Sequence, residues 1–371
     1  WGYDFSEFEL SYLRTMNKEI IVRMIDSFMY FIYLSSKKIK KNSLIGMIVP
    51  DVLLYQIDNE KLRKFLLKNF TINYIINAGN VFEQVVRPSA ILILQKEKIE
   101  ESIVSINDLS DIKASESKKH SLNDIQTYGK VKQTIIDSLA GNLFITKNPD
   151  HYILLNKLSN LDGITTLEQY IDDDGIQRGV SPDLKEAFIV NTETIKKYKL
   201  EKKQLRKVLT GGRQVKRFHI DTQDLWLIYT SNKDDLSKLP NVKNYIGQFK
   251  SQITCSEVRD KKHSIYALHR ARDERIFLKK EKFLGVITED EIVLSLDTNQ
   301  VFATDGLYLF GTKEGIDPYS LLGILNSKLY VFIYRLLSME KGRTLAQVKP
   351  TILSNLPIID IKTDNSEKCK K

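Results

Sequence analysis

LIGMIVPDVLLYQIDNEKLRKFLLKNFTINYIINAGNVFEQVVRPSAILILQK, from Leu44 to Lys96, holds three short apolar runs and one charged segment of helical spacing. The first run ends at Pro50, the second covers Ile72 to Ile76 and the third Ala90 to Leu94. Runs of this length without clean alternation, joined by a helical crossover, are the pattern of strands buried on both faces, so a parallel sheet is expected. Asp58 and Asn59 stand where a helix cap is needed, Glu60 falls in the first turn, and Leu62, Phe65 and Leu66 are spaced to bury one face. Asn77 to Asn80 and Arg87 to Ser89 read as loops, which would make the last two strands a hairpin closed through Phe82. This is a fragment of a sheet, since a doubly wound domain needs further strands to cover its other edge.

Upstream, WGYDFSEFELSY is aromatic and acidic without a period and reads as a loop. From Asn17 to Ser35 the positions Ile21, Met24, Ile25, Phe28 and Ile32 form an apolar stripe, and Lys37, Lys38, Lys40 and Lys41 close that helix with the charge its dipole favours. Its most apolar part, Glu19 to Leu34, contains Arg23 and Asp26, is too short to span a bilayer and reads as a core helix. The chain has 371 residues and is 42 % apolar, enough for a large core and two or three domains. Its net charge is +9, from 56 Lys and Arg against 47 Asp and Glu, which permits a polyanionic partner without demanding one. Cys255 and Cys369 supply neither a disulfide framework nor a cysteine zinc site. They suit a reducing cytoplasm; no signal peptide and no membrane association are expected.

Beyond Lys96 the pattern decays. A helix is expected over Leu122 to Leu139 and another over Tyr152 to Leu158, before a turn at Asp162 and Gly163. The expected domains are therefore 1–121, a helical connector 122–160, and 161–371. In the last of these GIQRGVSPDLKEAFIV reads as strand, glycine turn and strand. Ile195 to Arg217 then holds ten Lys or Arg against one acid, Glu201. Two readings stand for it: a solvated helix face with Leu200, Leu205 and Leu209 inward, or a nucleic-acid contact ending in TGGRQVKRF, where Gly211 and Gly212 permit close backbone approach. A second basic cluster is HRARD from His269, with Lys279, Lys280 and Lys282 after it. Short strands follow in GVITEDEIVLSLDT and VFATDGLYLF, the latter turning at Asp305 and Gly306. Asp317 caps and Pro318 opens a helix through Leu337, with Leu322, Leu325, Leu329 and Phe332 as its packing face. Short mixed strands with one long helix fit an α+β binding domain better than an enzyme core.

Dedicated chemistry is sparse. Pro50-Asp51 with Glu60-Lys61 lacks the Glu-x-Lys spacing of a metal-dependent nuclease, and no metal site is expected. The five histidines are scattered, with no His-Glu-x-x-His and no glycine-rich phosphate cradle. Patterning alone thus favours nucleic-acid binding.

In order along the chain, WGYDF, LIGMIVPDVLL, LRKFLLKNFTINYII, VFEQVVRPSAILILQK, GIQRGVSPDLKEAFIV, GGRQVKRF, LWLIYT, NVKNYIGQFKSQI, YALHRARD, FATDGLYLF, LLGILNSKLYVFIYR and KGRTLAQVKPTILSNLPI resemble the carboxy-terminal part of an adenine-N6 DNA methyltransferase of the TaqI-like or Eco57I-like kind, as found in type IIG restriction-modification proteins. The resemblance covers nearly the whole chain. It implies an α/β fold, a partial Rossmann-like methyltransferase sheet followed by an α+β target recognition domain. It implies double-stranded DNA as partner, and S-adenosylmethionine as cofactor of the parent enzyme.

The departure lies at the amino end. Trp1 resembles the aromatic of an Asn-Pro-Pro-aromatic motif whose first residues are absent, as are the glycine loop and the acid of the methyl-donor site. The chain alone is therefore expected to bind no S-adenosylmethionine and to be inactive, its partner being the N-terminal half of the methyltransferase domain, on the same polypeptide or on a companion chain. A specificity subunit serving a separate methyltransferase is the alternative. The resemblance assigns Trp1 and Phe82 to the flipped adenine, puts Pro50 and Asp51 at the pocket border, and makes Arg213, Lys216, Arg217, Arg270, Arg272, Lys341 and Arg343 candidates for DNA contact.

Overall fold

The computed structural model describes residues 5–22, 26–82, 87–113, 115–340 and 346–359. Two compact units divide the chain, Trp1–Asp162 and Gly163–Lys371.

The first unit opens with a helix where a loop was expected. Ser6 and Glu9 form a reciprocal capping box, Glu9 N–H to Ser6 Oγ at 3.3 Å and Ser6 N–H to the Glu9 carboxylate at 2.8 Å, which starts α1 (Glu7–Met16). Asn17 ends α1 through both its backbone N–H and its side chain on Leu13 O, so the helix read from Asn17 does not form as one piece; α2 begins only at Ser27 and runs to Lys38. Phe28, Met29 and Ile32 on α2 are buried, Ile21 is half-buried, and Met24 and Ile25 lie outside the described residues.

Next come β1 (Leu44–Pro50), α3 (Glu60–Asn69), β2 (Thr71–Gly79), β3 (Ser89–Gln95), β4 (Ile103–Asp108), α4 (Ser115–Asn123), β5 (Gly129–Lys132), α5 (Gln133–Ser138) and α6 (Asp150–Ser159). The three apolar runs do share one sheet, of order β1-β3-β2-β4-β5, but it is mixed rather than parallel. β1 and β2 run the same way, and β3 lies between them antiparallel to both; β2 and β4 are parallel. Inserting β3 makes β1 an edge strand whose Leu44 and Ile48 are exposed, so it alternates where burial on both faces was expected. The segment expected as a helical connector carries β5, paired antiparallel to β4, in place of a helix from Leu122 to Leu139. Gln133 holds that segment to the sheet: its amide oxygen accepts from Ile72 N–H at 2.9 Å, and its amide nitrogen donates to the carbonyls of Leu67 and Phe70.

The second unit contains β6 (Ile164–Thr166), β7 (Gln177–Arg178), α7 (Lys185–Phe188), β8 (Ile189–Val190), α8 (Thr192–Tyr198), β9 (Leu205–Leu209), β10 (Val215–Lys216), β11 (His219–Ile220), β12 (Trp226–Ile228), α9 (Pro240–Gly247), α10 (Ser256–Arg259), α11 (Glu274–Phe277), β13 (Lys282–Val286), β14 (Leu294–Asp297), β15 (Phe302–Ala303), β16 (Leu307–Phe310), α12 (Pro318–Asn326), α13 (Lys328–Ser338), α14 (Pro350–Ser354) and β17 (Pro357–Ile359). Two four-stranded sheets, β15-β9-β12-β8 and β14-β13-β16-β7, share a core that includes Phe188, Leu227, Phe277, Leu284 and Phe302. The basic stretch after Ile195 is a short helix followed by a strand, because Lys199 takes a left-handed conformation that ends α8 and β9 then pairs with β12 and β15.

Gly179 is where the chain passes from one sheet to the other: β7 pairs β16, Val180 bridges Thr304 beside β15, and Ser181 bridges Arg270. A Cβ on Gly179 would lie 2.3 Å from the carbonyl oxygens of both Ala303 and Thr304, so the turn read in GIQRGVS is a demand for space. The long helix expected after Pro318 is two helices bent by 63° at Ser327, whose extended backbone ends α12 and whose side chain caps α13. The bend leaves Leu329 and Phe332 exposed, while Leu322 and Leu325 pack as expected. Among the described residues no single helix is long and apolar enough to cross a membrane.

Candidate nucleic-acid interface

In the first unit, the carboxyl ends of β1, β2 and β4 bring several polar groups together. Pro50 pairs with Ser89 in register, Gly79 pairs with the same Ser89, and Asp51 N–H donates to Pro88 O at 3.0 Å. Asn77 donates to Asp108 at 3.2 Å, and Thr146 donates to the same carboxylate at 2.6 Å. Ligands of open α/β sheets sit at this end of the strands. Pro50 and Asp51 are buried at that rim, and Phe82 follows the β2 turn with its side chain 44 % exposed.

Two buried cations that the sequence reading passed over hold this rim. Arg63, on α3, donates from Nη1 to the carbonyls of Leu53 (2.9 Å) and Gln56 (2.8 Å), from Nε to Gly141 and Asn142, and from Nη2 to Gly141 (2.7 Å). It thereby ties the turn that starts at Asp51 to the 140–142 turn; burial pushes its guanidinium down to about 10, which still leaves it charged at neutral pH. Lys118, on α4, donates to Ala78 O at 2.7 Å and Asn80 O at 3.0 Å, fixing the turn that leads to Phe82. Burial lowers its ammonium from the ordinary value, and Asp108 acts in the other direction.

In the second unit β10 and β11 form a two-stranded hairpin, with Lys216 opposite His219 and Arg217-Phe218 as its loop. Arg213 and Lys216 are exposed. Arg217 instead pairs with Glu291 at 2.8 Å, which reduces its free charge. The HRARD segment contributes Arg270, exposed, and Arg272, half-buried with Nε donating to Gly179 O at 3.3 Å. Arg272 is lowered by burial first and then by its positive neighbours Arg270 and Arg178, with Asp305 opposing. Arg178 therefore joins the cluster, although only its place before the essential Gly179 hinted at it.

Both groups hang from one short segment. Thr304 N–H donates to Leu209 O and its hydroxyl to Thr210 O, just before Gly211, while Val180 N–H donates to Ala303 O and Asp305 N–H to Val180 O. Of the lysines grouped with HRARD, Lys280 is exposed but the other two are not surface cations in the same sense. Lys279 is bound by Asp172 and Asp174, and Lys282 is buried against Asp297, which faces it across the β13–β14 ladder. His269 lies 3.1 Å from Glu257 with Cys255 close by, an arrangement invisible in their scattered spacing; the His269 hydrogen bond is the main cause that brings Glu257 down to about 2. Trp1, Lys341 and Arg343 lie outside the described residues.

Residues 4–82 match the Eco57I restriction-modification methylase family, and residues 206–358 match the TaqI-like C-terminal specificity domain. The chain thus joins an Eco57I-like methylase segment to a TaqI-like specificity domain. The methylase match takes in β1 and β2 of the partial Rossmann-like sheet of the first unit, and the specificity-domain match takes in the basic hairpin. Among solved structures, the chain is similar to the type IIL restriction-modification enzyme MmeI in complex with DNA, at 12 % identity and a TM-score of 0.51, covering 87 % of this chain and 40 % of that one. It is also similar to the type IIG restriction endonuclease BpuSI (14 %, TM-score 0.36, 98 % and 47 %) and to a nuclease-deletion mutant of the type ISP enzyme LlaGI in complex with a DNA substrate mimic (13 %, TM-score 0.48, 90 % and 37 %). The chain thus spans less than half the length of each. No curated protein matches this sequence.

Among the described residues no glycine loop that would cradle S-adenosylmethionine is formed. Among the described residues the left-handed glycines of the first unit are Gly79 and Gly141. A Cβ on Gly79 would meet Ser110 Cα at 2.8 Å, and Gly141 O is taken by Arg63, so neither opens a glycine cradle between a strand and a helix.

Proposed function

We propose that this chain is the DNA-recognition part of a site-specific adenine-N6 DNA methyltransferase of a restriction-modification enzyme acting in the cytoplasm. The observation that carries this is the placing of Arg213 and Lys216, with Arg270 and Arg272 on the same 303–305 support, inside the segment matched to TaqI-like specificity domains, and of Arg178 beside Arg272 from the strand ahead of that segment. Such cations neutralise phosphates, and an arginine among them can also read a base edge.

The methyl donor is held, on this reading, by the other half of the methyltransferase domain, on the same polypeptide or a companion chain. What supports it is uncovered apolar surface in the first unit: Phe8, Tyr12 and Met16 on α1, Phe31 and Leu34 on α2, and Leu44 and Ile48 on the edge strand β1 are all exposed. Scattered exposed apolar side chains are ordinary, but a helix burying none of its side chains, together with a strand edge unpaired among the described residues, asks for a covering element. On this reading Trp1 stacks on the extruded adenine, Phe82 at the rim is the second aromatic to approach it, and Pro50 and Asp51 border the pocket.

Fluorescence anisotropy with duplex DNA over a salt series tests the proposal. Each phosphate contact contributes about −0.9 to the log–log salt slope. A combined Arg213→Ala, Lys216→Ala, Arg217→Ala variant with the parent's affinity and slope would show the hairpin to be a solvated face.

A further inference from the structure

Phosphate binding accounts for the cations of the β10–β11 hairpin but not for the aromatic at its tip. The ring of Phe218 is 61 % exposed there, between Lys216 and Arg217 on one side and His219 on the other. Two-residue hairpin loops favour Gly or Asn where the backbone turns left-handed. Phe218 occupies that conformation, with φ of 67°, which strains a bulky aromatic residue.

The tip is nonetheless held. Phe218 N–H donates to Leu294 O at 3.1 Å, and Lys216 O accepts from Ser295 Oγ at 2.7 Å. Arg217 pairs with Glu291, and Glu291 is also bound by Arg335 at 2.9 Å. Val215, at the base of the hairpin, is buried. The loop therefore presents an apolar ring outward on a fixed support, with exposed Lys216 next to the tip and exposed Arg213 just before the base of the hairpin.

We propose that Phe218 is a stacking wedge for duplex DNA: its ring enters at a base step or lies on an unstacked base, while Lys216 and Arg213 engage the flanking phosphates. An exposed aromatic next to cations matches a base step beside phosphates better than it matches an apolar protein groove. The proposal rests on the DNA-binding reading above and adds a contact to bases that carries no charge.

The test uses the 371-residue chain, with Phe218→Gly, which suits the left-handed backbone and so keeps the hairpin, Phe218→Trp as a reporter, and Lys216→Ala as a reference. Loss of base stacking is expected to weaken duplex binding by Phe218→Gly about 5- to 150-fold with no change in salt slope. Lys216→Ala should instead flatten the slope. Indole fluorescence of the Phe218→Trp variant should be quenched by saturating duplex well beyond the change seen in the parent, whose own tryptophans are Trp1 and Trp226. Parent-like affinity of Phe218→Gly together with absence of the added quench would overturn the wedge and leave the DNA-binding reading standing. Failure of the parent itself to bind duplex would remove both. A change in self-association by sedimentation on Phe218→Gly, without a change in DNA affinity, would overturn the wedge in favour of contact between copies.

Discussion

Replacing Arg63 by Met asks how much of the first unit's rim depends on one buried cation. The side chain is 1 % exposed and donates to four carbonyl oxygens, those of Leu53, Gln56, Gly141 and Asn142. The bonds to Leu53 and Asn142 are fully buried, so those two oxygens would stay dry in the variant, while the other two can take up water. A buried carbonyl left without a donor costs about 1–3 kcal/mol, so the two together cost about 2–6 kcal/mol. Removing a desolvated cation returns part of that, which leaves a net loss of about 2–4 kcal/mol. For a unit of this size the loss corresponds to a fall in Tm of roughly 5–15 °C. Urea unfolding by far-ultraviolet circular dichroism measures the loss, and hydrogen exchange locates it: protection should fall first in 51–56 and 140–142. Arg63→Lys keeps the charge but loses the planar fork, so it should fall between parent and Met. A Met variant within about 0.5 kcal/mol of the parent, with unchanged exchange in both turns, would refute the reasoning.

Four further outcomes are expected. Gly179→Ala should destabilise the second unit by about 1–3 kcal/mol or more, since its Cβ has only carbonyl oxygens to displace; denaturant midpoints check it. Lys282→Met leaves Asp297 buried without its cation and should cost about 3–5 kcal/mol, whereas the double change Lys282→Met, Asp297→Leu should recover much of it, which a double-mutant cycle reads directly. In DNA binding, Lys216→Ala should lower the magnitude of the salt slope by about 1, and Arg213→Ala should cost about 1–3 kcal/mol and relax preference at one base position, both seen by anisotropy on a panel of duplexes. Glu257 is held well below its ordinary value of 4.5, to about 2, chiefly by the His269 hydrogen bond. Its contribution to stability is therefore present above that ordinary value and is lost as pH falls through the folded one; the side chain is solvent-open, so the effect is small, and a carboxyl NMR titration showing an unshifted Glu257 would contradict it.

Which residues meet was less legible than which residues form strands. The runs Leu44 to Val49, Ile72 to Ile76 and Ala90 to Leu94 announced themselves by apolar continuity, and all three fall in one sheet. Their order did not, because the hydrophobic pattern of a strand is the same whichever neighbour it pairs with. The apolar pattern hides the start of α1, because a capping box of two polar side chains, Ser6 and Glu9, starts a helix that has no buried face. Nothing in the local sequence marks Arg63 as buried, and Lys282 reads as part of a basic cluster; only the carbonyls and the carboxylate gathered around them from distant segments make burial tolerable.

The sequence by itself determined the two-part organisation, the sheet strands, the basic richness of the segment before Phe218, and the family through its ordered motifs. Tertiary structure alone decided that β3 runs between β1 and β2, that Arg178 joins Arg270 and Arg272, that Lys279 and Lys282 are tied to internal carboxylates, and that Phe218 stands outward on a braced turn. The physical reason is one of range. Periodicity and caps act over a few neighbouring residues and are written locally, whereas the fate of a charge or a ring depends on which groups the rest of the chain brings within hydrogen-bonding distance of it.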